Sequence, residues 1–367
     1  MRTEATLLER KLVARIEREG PITFRDFMHA ALYDSELGYY NTERLKIGPE
    51  GDYYTSSNIH AAFGAMLARQ FAELWLDSVE PLKIVEIGAG TGQLACDIIS
   101  AIRDEYPAVF ERLAYLIVET SPAMLGLQKV KLAAFDDRIQ WCELEELERA
   151  PFVGIAFSNE FVDALPVHRI RFAADVMEEQ FVVTSAETKC LALRWDNLSN
   201  KRFGEYVERT NLTPKDGQII EINLDAIDWL ARMARAVRYG FLVTIDYGDI
   251  GQHLYARDRR CGTLRSFHGH RLIDSPLERI GEQDITASVN FTALVEYGRD
   301  CGFEVVSHER QALFLTRLGL IERIAATHGK SDSVDDLKDR LAVKNLFVPG
   351  SLSDSFRVLI QRKVRNE

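Results

Sequence analysis

The sequence predicts an α/β fold: a mostly parallel, seven-stranded sheet preceded by a helical N-terminal cap and interrupted by an inserted antiparallel hairpin. Three observations carry this. From residue 82 onward, short apolar runs alternate with amphipathic stretches, the rhythm of βαβ units. The first of those runs opens directly into a glycine-rich turn, Gly88-Ala89-Gly90-Thr91-Gly92. Between 167 and 222 the rhythm breaks into longer alternating runs, which read as antiparallel strands rather than βα units.

Taken in order, Leu7, Leu8, Leu12, Val13 and Ile16 recur at helical spacing and stop at Gly20-Pro21. A second apolar run, Ile22, Phe24, Phe27, Met28, Ala31 and Leu32, leads into 33–57, a segment dense in aromatic and turn residues. It contains Gly38-Tyr39-Tyr40 and Gly51-Asp52-Tyr53-Tyr54-Thr55-Ser56, and ordered loops of that length tend to be functional. A helix at about 61–76 follows. Residues 1–80 therefore read as a helical and aromatic cap, and 81–367 as the main domain, with insertions at about 167–222 and 248–290. Strands are expected at 83–87, 115–118, 139–142 and 153–158, with helices at about 92–103 and 122–132 between them. After alternating strands at 167–172 and 180–195, a helix at 224–237 and a strand at 241–246 resume the order. Residues 248–290 carry Gly, His, Arg and Asp without periodicity and read as an elaborated loop. A helix at 291–301, a strand at 303–307, a helical region over 313–346 and a last strand at 356–364 complete the chain.

The 367 residues carry 45 Lys and Arg against 56 Asp and Glu, a net charge of −11. That balance argues against a nucleic-acid binder, which gains affinity by neutralising phosphates, and no window supplies a concentrated basic patch. With 46% hydrophobic and 28% charged residues the chain is an ordinary folded protein, which excludes disordered and collagen-like classes. Cys96, Cys142, Cys190, Cys261 and Cys301 are odd in number, widely spaced and free of any C-x-x-C pattern, so neither a disulfide framework nor a zinc site is expected. The first residues mix Glu4, Glu9, Glu17 and Glu19 with Arg and Lys and have no apolar core of a leader peptide. No run approaches the roughly 18 apolar residues of a membrane span. The expectation is a cytoplasmic protein with no metal.

The most informative segment is Ile84-Val85-Glu86-Ile87 running into the glycine turn. Glycines there let the backbone bend so that a ligand can approach the peptide N–H groups at a strand end, where open α/β sheets bind ligands. The dinucleotide fingerprint would need a small residue three positions after Gly90, and Gln93 stands there instead. No Gly-Lys-Ser/Thr follows, so the turn is not a nucleotide P-loop either. This E-x-G-x-G-x-G form resembles motif I of class I S-adenosylmethionine-dependent methyltransferases, which have a Rossmann-like sheet with an antiparallel last strand. The resemblance implies S-adenosylmethionine as cofactor, with Glu86, Gly88, Ala89, Gly90 and Gly92 at its methionine and ribose portions. It also implies an acid at the end of the second strand for the ribose hydroxyls. Glu119 ends Tyr115-Leu116-Ile117-Val118, and a carboxylate can accept from both hydroxyls of a vicinal diol.

At the end of the fourth strand stands Ser158-Asn159-Glu160-Phe161-Val162-Asp163-Ala164-Leu165-Pro166-Val167-His168. Polar Asn159 and Glu160 directly after a buried apolar run are costly unless hydrogen-bonded, so a place in the site is expected, with Asn159 on the cofactor side. Asp163 reads equally as a turn residue before Leu165-Pro166. That string, together with 22–40, 51–56, Thr244-Ile245-Asp246-Tyr247-Gly248, Gly262-Thr263-Leu264-Arg265-Ser266-Phe267 and Gln283-Asp284-Ile285-Thr286-Ala287-Ser288-Val289-Asn290-Phe291, resembles the MidA-like family. Its mitochondrial members are complex I assembly factors that act as protein arginine methyltransferases. The resemblance covers nearly the whole chain and is weakest over 172–215 and 325–350. It departs at Tyr53, where members often have Phe, and at Ser57-Asn58, where many have Pro-Glu.

The resemblance implies methyl transfer to arginine on a protein acceptor, a respiratory complex I subunit among them. A guanidinium stays protonated, so carboxylates must orient it and receive its proton. Glu160 is the residue expected to bind it, assisted by Asp163 or Asp246. His168 is the other candidate base, though a lone histidine beside Val167 also reads as a packed core residue. His268-Gly269-His270 lacks the partner ligands of a metal site. The loops at 33–57 and 248–290 would roof the site over a protein acceptor or a small apolar one. A non-catalytic assembly or scaffold protein and a small-molecule methyltransferase remain the alternatives.

Overall fold

The computed structural model describes residues 5–42, 61–76, 78–173, 176–256, 258–327 and 355–365. The chain forms two compact units, each from three stretches: Met1–Tyr53, Val162–Trp229 and Asp249–Tyr297 in the first, Tyr54–Phe161, Leu230–Gly248 and Gly298–Glu367 in the second.

The second unit holds the α/β sheet. Its strands are β1 (Lys83–Ile87), β2 (Ala114–Val118), β3 (Ile139–Cys142), β4 (Phe152–Asn159), β5 (Val237–Asp249), β6 (Phe303–Arg310) and β7 (Phe356–Lys363). Among the described residues they run in the order β6-β7-β5-β4-β1-β2-β3. β1 pairs in parallel with both β2 and β4, β2 with β3, and β4 with β5. β7 is antiparallel to both neighbours. The inner strands are buried along both faces, with Val85, Leu116, Ala156 and Leu242 on the face opposite Ile84, Ile117, Ile155 and Val243. Ile84, Ile117, Ile155, Phe157 and Val243 are fully buried with Phe63, Leu67 and Phe71 of helix Ala61–Leu74 and Ile98, Ile99 and Ile102 of helix Gln93–Glu105. The strand order reverses between β1 and β4, and at such a switch point the carboxyl ends of the strands leave a crevice for ligand.

The first unit is built on an antiparallel sheet. Ile22–Thr23, Val176–Thr184, His168–Ala173 and Ile219–Ile222 lie in that order, and Leu191–Asp196 pairs with Val176–Thr184. The run expected as one strand over 180–195 is thus two, joined by a turn in which Ser185 N–H donates to the Cys190 carbonyl at 2.8 Å and Lys189 takes a left-handed φ of 56°. Two N-terminal helices, Leu7–Glu19 and Phe24–Tyr33, are capped by Thr6 and Thr23, whose hydroxyls accept from Glu9 and Asp26 N–H groups. Their buried faces, among them Leu12, Phe24, Phe27 and Met28, share a core with Val182, Ile280 and Ile285. Within 248–290 the aperiodic sequence nevertheless forms a small antiparallel sheet of Arg265–His268, Arg271–Ile273 and Asp284–Thr286. The helical stretch expected over 313–346 is seen as Gln311–Arg317 and Leu320–Thr327, and the remainder lies outside the described residues.

Candidate functional site

β1 delivers the glycine turn to the carboxyl edge of the sheet. Gly88, Gly90 and Gly92 have φ of 70°, 52° and 79°, backbone that L side chains adopt only with strain. Gly88 N–H donates to the Val118 carbonyl at 3.1 Å, which keeps the turn joined to the end of β2. Gly92 is the left-handed cap of helix Gln93–Glu105, and its carbonyl accepts from Cys96 N–H at 3.0 Å. A Cβ on Gly88 would lie 2.9 Å from the Phe161 ring. Ala89, between Gly88 and Gly90 in the chain, is buried. Gln93, the residue that breaks the dinucleotide pattern, has its own work: its amide accepts from Lys131 and donates to Asp97, each at 2.9 Å.

Glu86 lies in β1 below the turn, 3% exposed, and its Oε2 accepts from the Tyr115 hydroxyl at 2.7 Å. Burial pushes its carboxyl up to about 7; the Tyr115 bond opposes the shift and the charge of Glu119 adds to it. The same burial, with Glu86 alongside, holds the Tyr115 phenol well above its usual range.

Glu119 follows β2. Its Oε1 accepts from the N–H groups of Thr120 (2.9 Å) and Ser121 (2.8 Å), and its Oε2 from the Gln128 amide at 2.9 Å. Gln128, which sequence reasoning did not single out, is fully buried on helix Pro122–Lys131 and also donates to the Gly90 carbonyl at 2.9 Å. The only signal for it in the sequence is a position nine residues after the acid, on the inward face of the helix that follows.

The end of β4 carries the third part. Ile245 of β5 pairs with Asn159, and its carbonyl accepts from Glu160 N–H at 2.9 Å. Glu160 has a left-handed φ of 52°, a conformation costly for a residue with a Cβ and one that clusters at functional sites. Its carboxylate accepts from the Asn159 amide at 3.2 Å and the Tyr247 hydroxyl at 3.3 Å. Asp246 is fully buried and accepts from the N–H groups of Phe161 (3.2 Å) and Tyr247 (2.9 Å), so one carboxylate holds the backbone of the residue after Glu160 and that of its partner Tyr247. Among the described residues, Ser158 Oγ and Asn159 Oδ1 are buried without a hydrogen-bond partner. Thus Glu86, the glycines, Glu119, Asn159, Glu160 and Asp246 all stand in the second unit along one edge of one sheet.

Asp163 and His168 belong to the first unit. Asp163 is buried, and its carbonyl accepts from Ala287 N–H at 3.0 Å. His168 Nδ1 lies 2.7 Å from Oε1 of the fully buried Glu179, and its ring sits 4.8 Å from that of Phe203. Next to it Arg169 is buried against Glu221 (3.4 Å), the Gln180 amide (2.6 Å) and the Cys261 carbonyl (3.1 Å). Glu221 in turn accepts from Thr263, and Gly262 combines a left-handed φ of 79° with a Cβ position 2.1 Å from Glu221 Oε1, so both backbone and packing favour glycine there. Tyr40 donates to Asp284 at 2.9 Å, tying the aromatic segment to the small sheet. His268 and His270 flank the turn of that sheet, with His268 Nδ1 2.8 Å from the Glu282 carbonyl. Among the described residues no group of three His, Cys, Asp or Glu side chains could hold a metal ion. Residues 51–58, including Tyr53 and Ser57-Asn58, lie outside the described residues.

Residues 66–308, more than half of the chain, match a family described as "Putative S-adenosyl-L-methionine-dependent methyltransferase". The mitochondrial protein arginine methyltransferase NDUFAF7 of Xenopus laevis is 25% identical over 97% of this chain and 84% of its own length. Its Caenorhabditis elegans homologue, also named mitochondrial, is 26% identical over 86% and 77%. A crystal structure of a methyltransferase candidate from Burkholderia thailandensis bound to S-adenosyl-homocysteine superposes with a TM-score of 0.89 at 26% identity, covering 98% of this chain and 92% of that one. The mitochondrial names of these relatives overturn the cytoplasmic location expected from the sequence: a charge-mixed N-terminus is no evidence of compartment. Among the described residues no helix is long and apolar enough to cross a membrane.

Proposed function

The chain belongs to this family of S-adenosyl-L-methionine-dependent methyltransferases, and from that premise we propose that it methylates arginine side chains of a protein acceptor, with a respiratory complex I subunit as the candidate. The observation that carries the reading is Glu160. It is held in a left-handed conformation at the carboxyl edge of β4, beside the glycine turn's strand, with its carboxylate accepting from the Asn159 amide and the Tyr247 hydroxyl. The relatives named as protein arginine methyltransferases support the choice of acceptor.

The residues present fit the cofactor. The turn of Gly88, Ala89, Gly90 and Gly92 bares backbone at the strand end, and Glu86 braces it from below through Tyr115. Glu119 offers a fixed acceptor to a ribose diol, and the orphaned oxygens of Ser158 and Asn159 suit the ammonium of an amino-acid moiety. When bound, the cofactor supplies an electrophilic methyl group on a sulfonium. Glu160 then has three tasks. It binds the guanidinium, which arrives protonated, through a pair of charge-assisted bonds. It turns one nitrogen toward the crevice, and it takes the proton that nitrogen releases on alkylation. Asp246 positions Glu160 through the Phe161 and Tyr247 amides. His168, committed to Glu179 within the first unit's sheet, is given no part in the proton transfer. Incubation of the purified chain with methyl-labelled S-adenosylmethionine and an arginine-bearing protein extract should place label in methylarginine. Label confined to small molecules or to other side chains would overturn the proposal.

A further inference from the structure

We infer that Gln128 is a positioning residue for the ribose of the cofactor, locking the Glu119 carboxylate to the glycine turn from beneath. The inference deepens the reading of Glu119 as the ribose acceptor and rests on it. A glutamine with no exposed surface has to satisfy its donors and its acceptor inside the protein, because an unmade bond to a buried amide is destabilising. Gln128 does so with three different elements. Its Nε2 donates to the Gly90 carbonyl of the turn after β1 and to Glu119 Oε2 after β2, both at 2.9 Å. Its Oε1 accepts from Trp141 Nε1 of β3 at 3.0 Å.

The orientation of that amide is unique. An indole nitrogen only donates, while a carbonyl and a carboxylate only accept, so a flipped amide would set like against like at all three contacts. Two consequences follow for the crevice. The carboxylate of Glu119 is pinned by three N–H donors, from Thr120, Ser121 and Gln128, and cannot turn as an exposed acid would. The Gly90 carbonyl is fixed as well, and because the peptide is planar and trans, the Thr91 N–H is held pointing the opposite way. Lys131, one turn along the same helix, adds a second tie through its bond to Gln93. A ligand whose ribose meets Glu119 and whose other end meets the turn therefore finds both already set at one spacing, which lowers the ordering cost of binding.

The test uses the full chain and two probes, S-adenosylhomocysteine and its 2′-deoxyribose analogue, titrated by calorimetry. The wild type should prefer the ribose form by about tenfold, the order of one hydrogen bond to a charged group. Gln128→Met keeps the volume and removes all three bonds, and should shrink that preference to about twofold. A role confined to folding would weaken both ligands by one factor and leave the ratio unchanged, and an unchanged ratio overturns the inference. Glu119→Gln separates the two readings. Loss of the preference there, with an intact preference in Gln128→Met, faults Gln128 alone, whereas a wild type without any preference removes the ribose role of Glu119 and this inference with it. Should Gln128→Met fail to fold, Trp141→Phe removes only the donor that orients the amide. It should give an intermediate ratio, and the full wild-type ratio in that variant contradicts the proposal.

Discussion

Replacing Glu86 with Gln tests whether the floor of the glycine turn is built around a buried, proton-holding acid. In the folded protein the Glu86 carboxyl titrates at about 7, against an ordinary value of 4.5, because burial disfavours its charge. Below about pH 4.5 the folded and unfolded chains both hold the proton and the group contributes nothing to pH dependence. Between about 4.5 and 7 the unfolded chain has released a proton that the folded chain retains, so folding takes one up and stability falls as pH rises. Above about 7 both states are ionised and the loss is complete. At 1.36 kcal/mol for each tenfold shift in proton affinity, the gap is about 3 kcal/mol. The glutamine in the Glu86→Gln variant cannot titrate, yet its amide oxygen can still accept from Tyr115. Urea unfolding of both proteins without cofactor, at about pH 5, 6, 7 and 8, should show the variant gaining on the wild type by up to about 3 kcal/mol as pH rises. Curves that stay parallel across that range would refute the reasoning.

Gly88→Ala forces a Cβ into backbone at φ 70° and to 2.9 Å from the Phe161 ring. The left-handed backbone alone costs about 1–2 kcal/mol, and because Phe161 follows Glu160, both cofactor affinity and kcat should fall. A drop in affinity with kcat unchanged would show that the turn and the Glu160 segment are not mechanically joined. Glu160→Gln keeps the shape and removes the charge and the base, so kcat should fall by about 100-fold or more while S-adenosylhomocysteine binding by calorimetry holds within about twofold. In the first unit, Arg169→Met leaves Glu221 buried without its cation and breaks the bonds to Gln180 and Cys261. Its destabilisation should be about 3–5 kcal/mol by denaturant unfolding, and a change below about 1 kcal/mol would mean that the arginine contributes little net stability.

The βα order was legible because strands buried on both faces must be apolar runs, and those runs alternate with amphipathic helices along 82–142 and again from 224. The glycine turn and Glu119 were legible for a related reason: each directly ends a strand, so spacing alone puts them at the carboxyl edge. Gln128 was not, since a glutamine inside a helix reads as surface until its neighbours are known. Glu160 could be placed, but its left-handed backbone and its bond from Tyr247 depend on the partner strand β5. The turn that splits 180–195 was hidden because its left-handed residue is Lys189 and not a glycine or asparagine. The pairing of Ile22–Thr23 with Phe181 and Val182 is non-local and two residues long, too short to leave a period. The small sheet within 265–286 has strands of three and four residues, below the length at which alternation can be counted. Gly262 stood in the sequence only as part of a family-like string, and its need is conformational and steric: its φ is 79° and Glu221 lies where a side chain would go.

Methyl transfer to arginine, with Glu160 as the acceptor's carboxylate, is what we propose for this chain. The most direct measurement is mass spectrometry of a protein extract from cells lacking this protein, incubated with labelled S-adenosylmethionine and either the wild type or Glu160→Gln. Methyl groups on guanidinium nitrogens in the wild-type reaction, and their loss with Glu160→Gln, are the expected result. Equal arginine methylation by both proteins, or label on another acceptor, would contradict it.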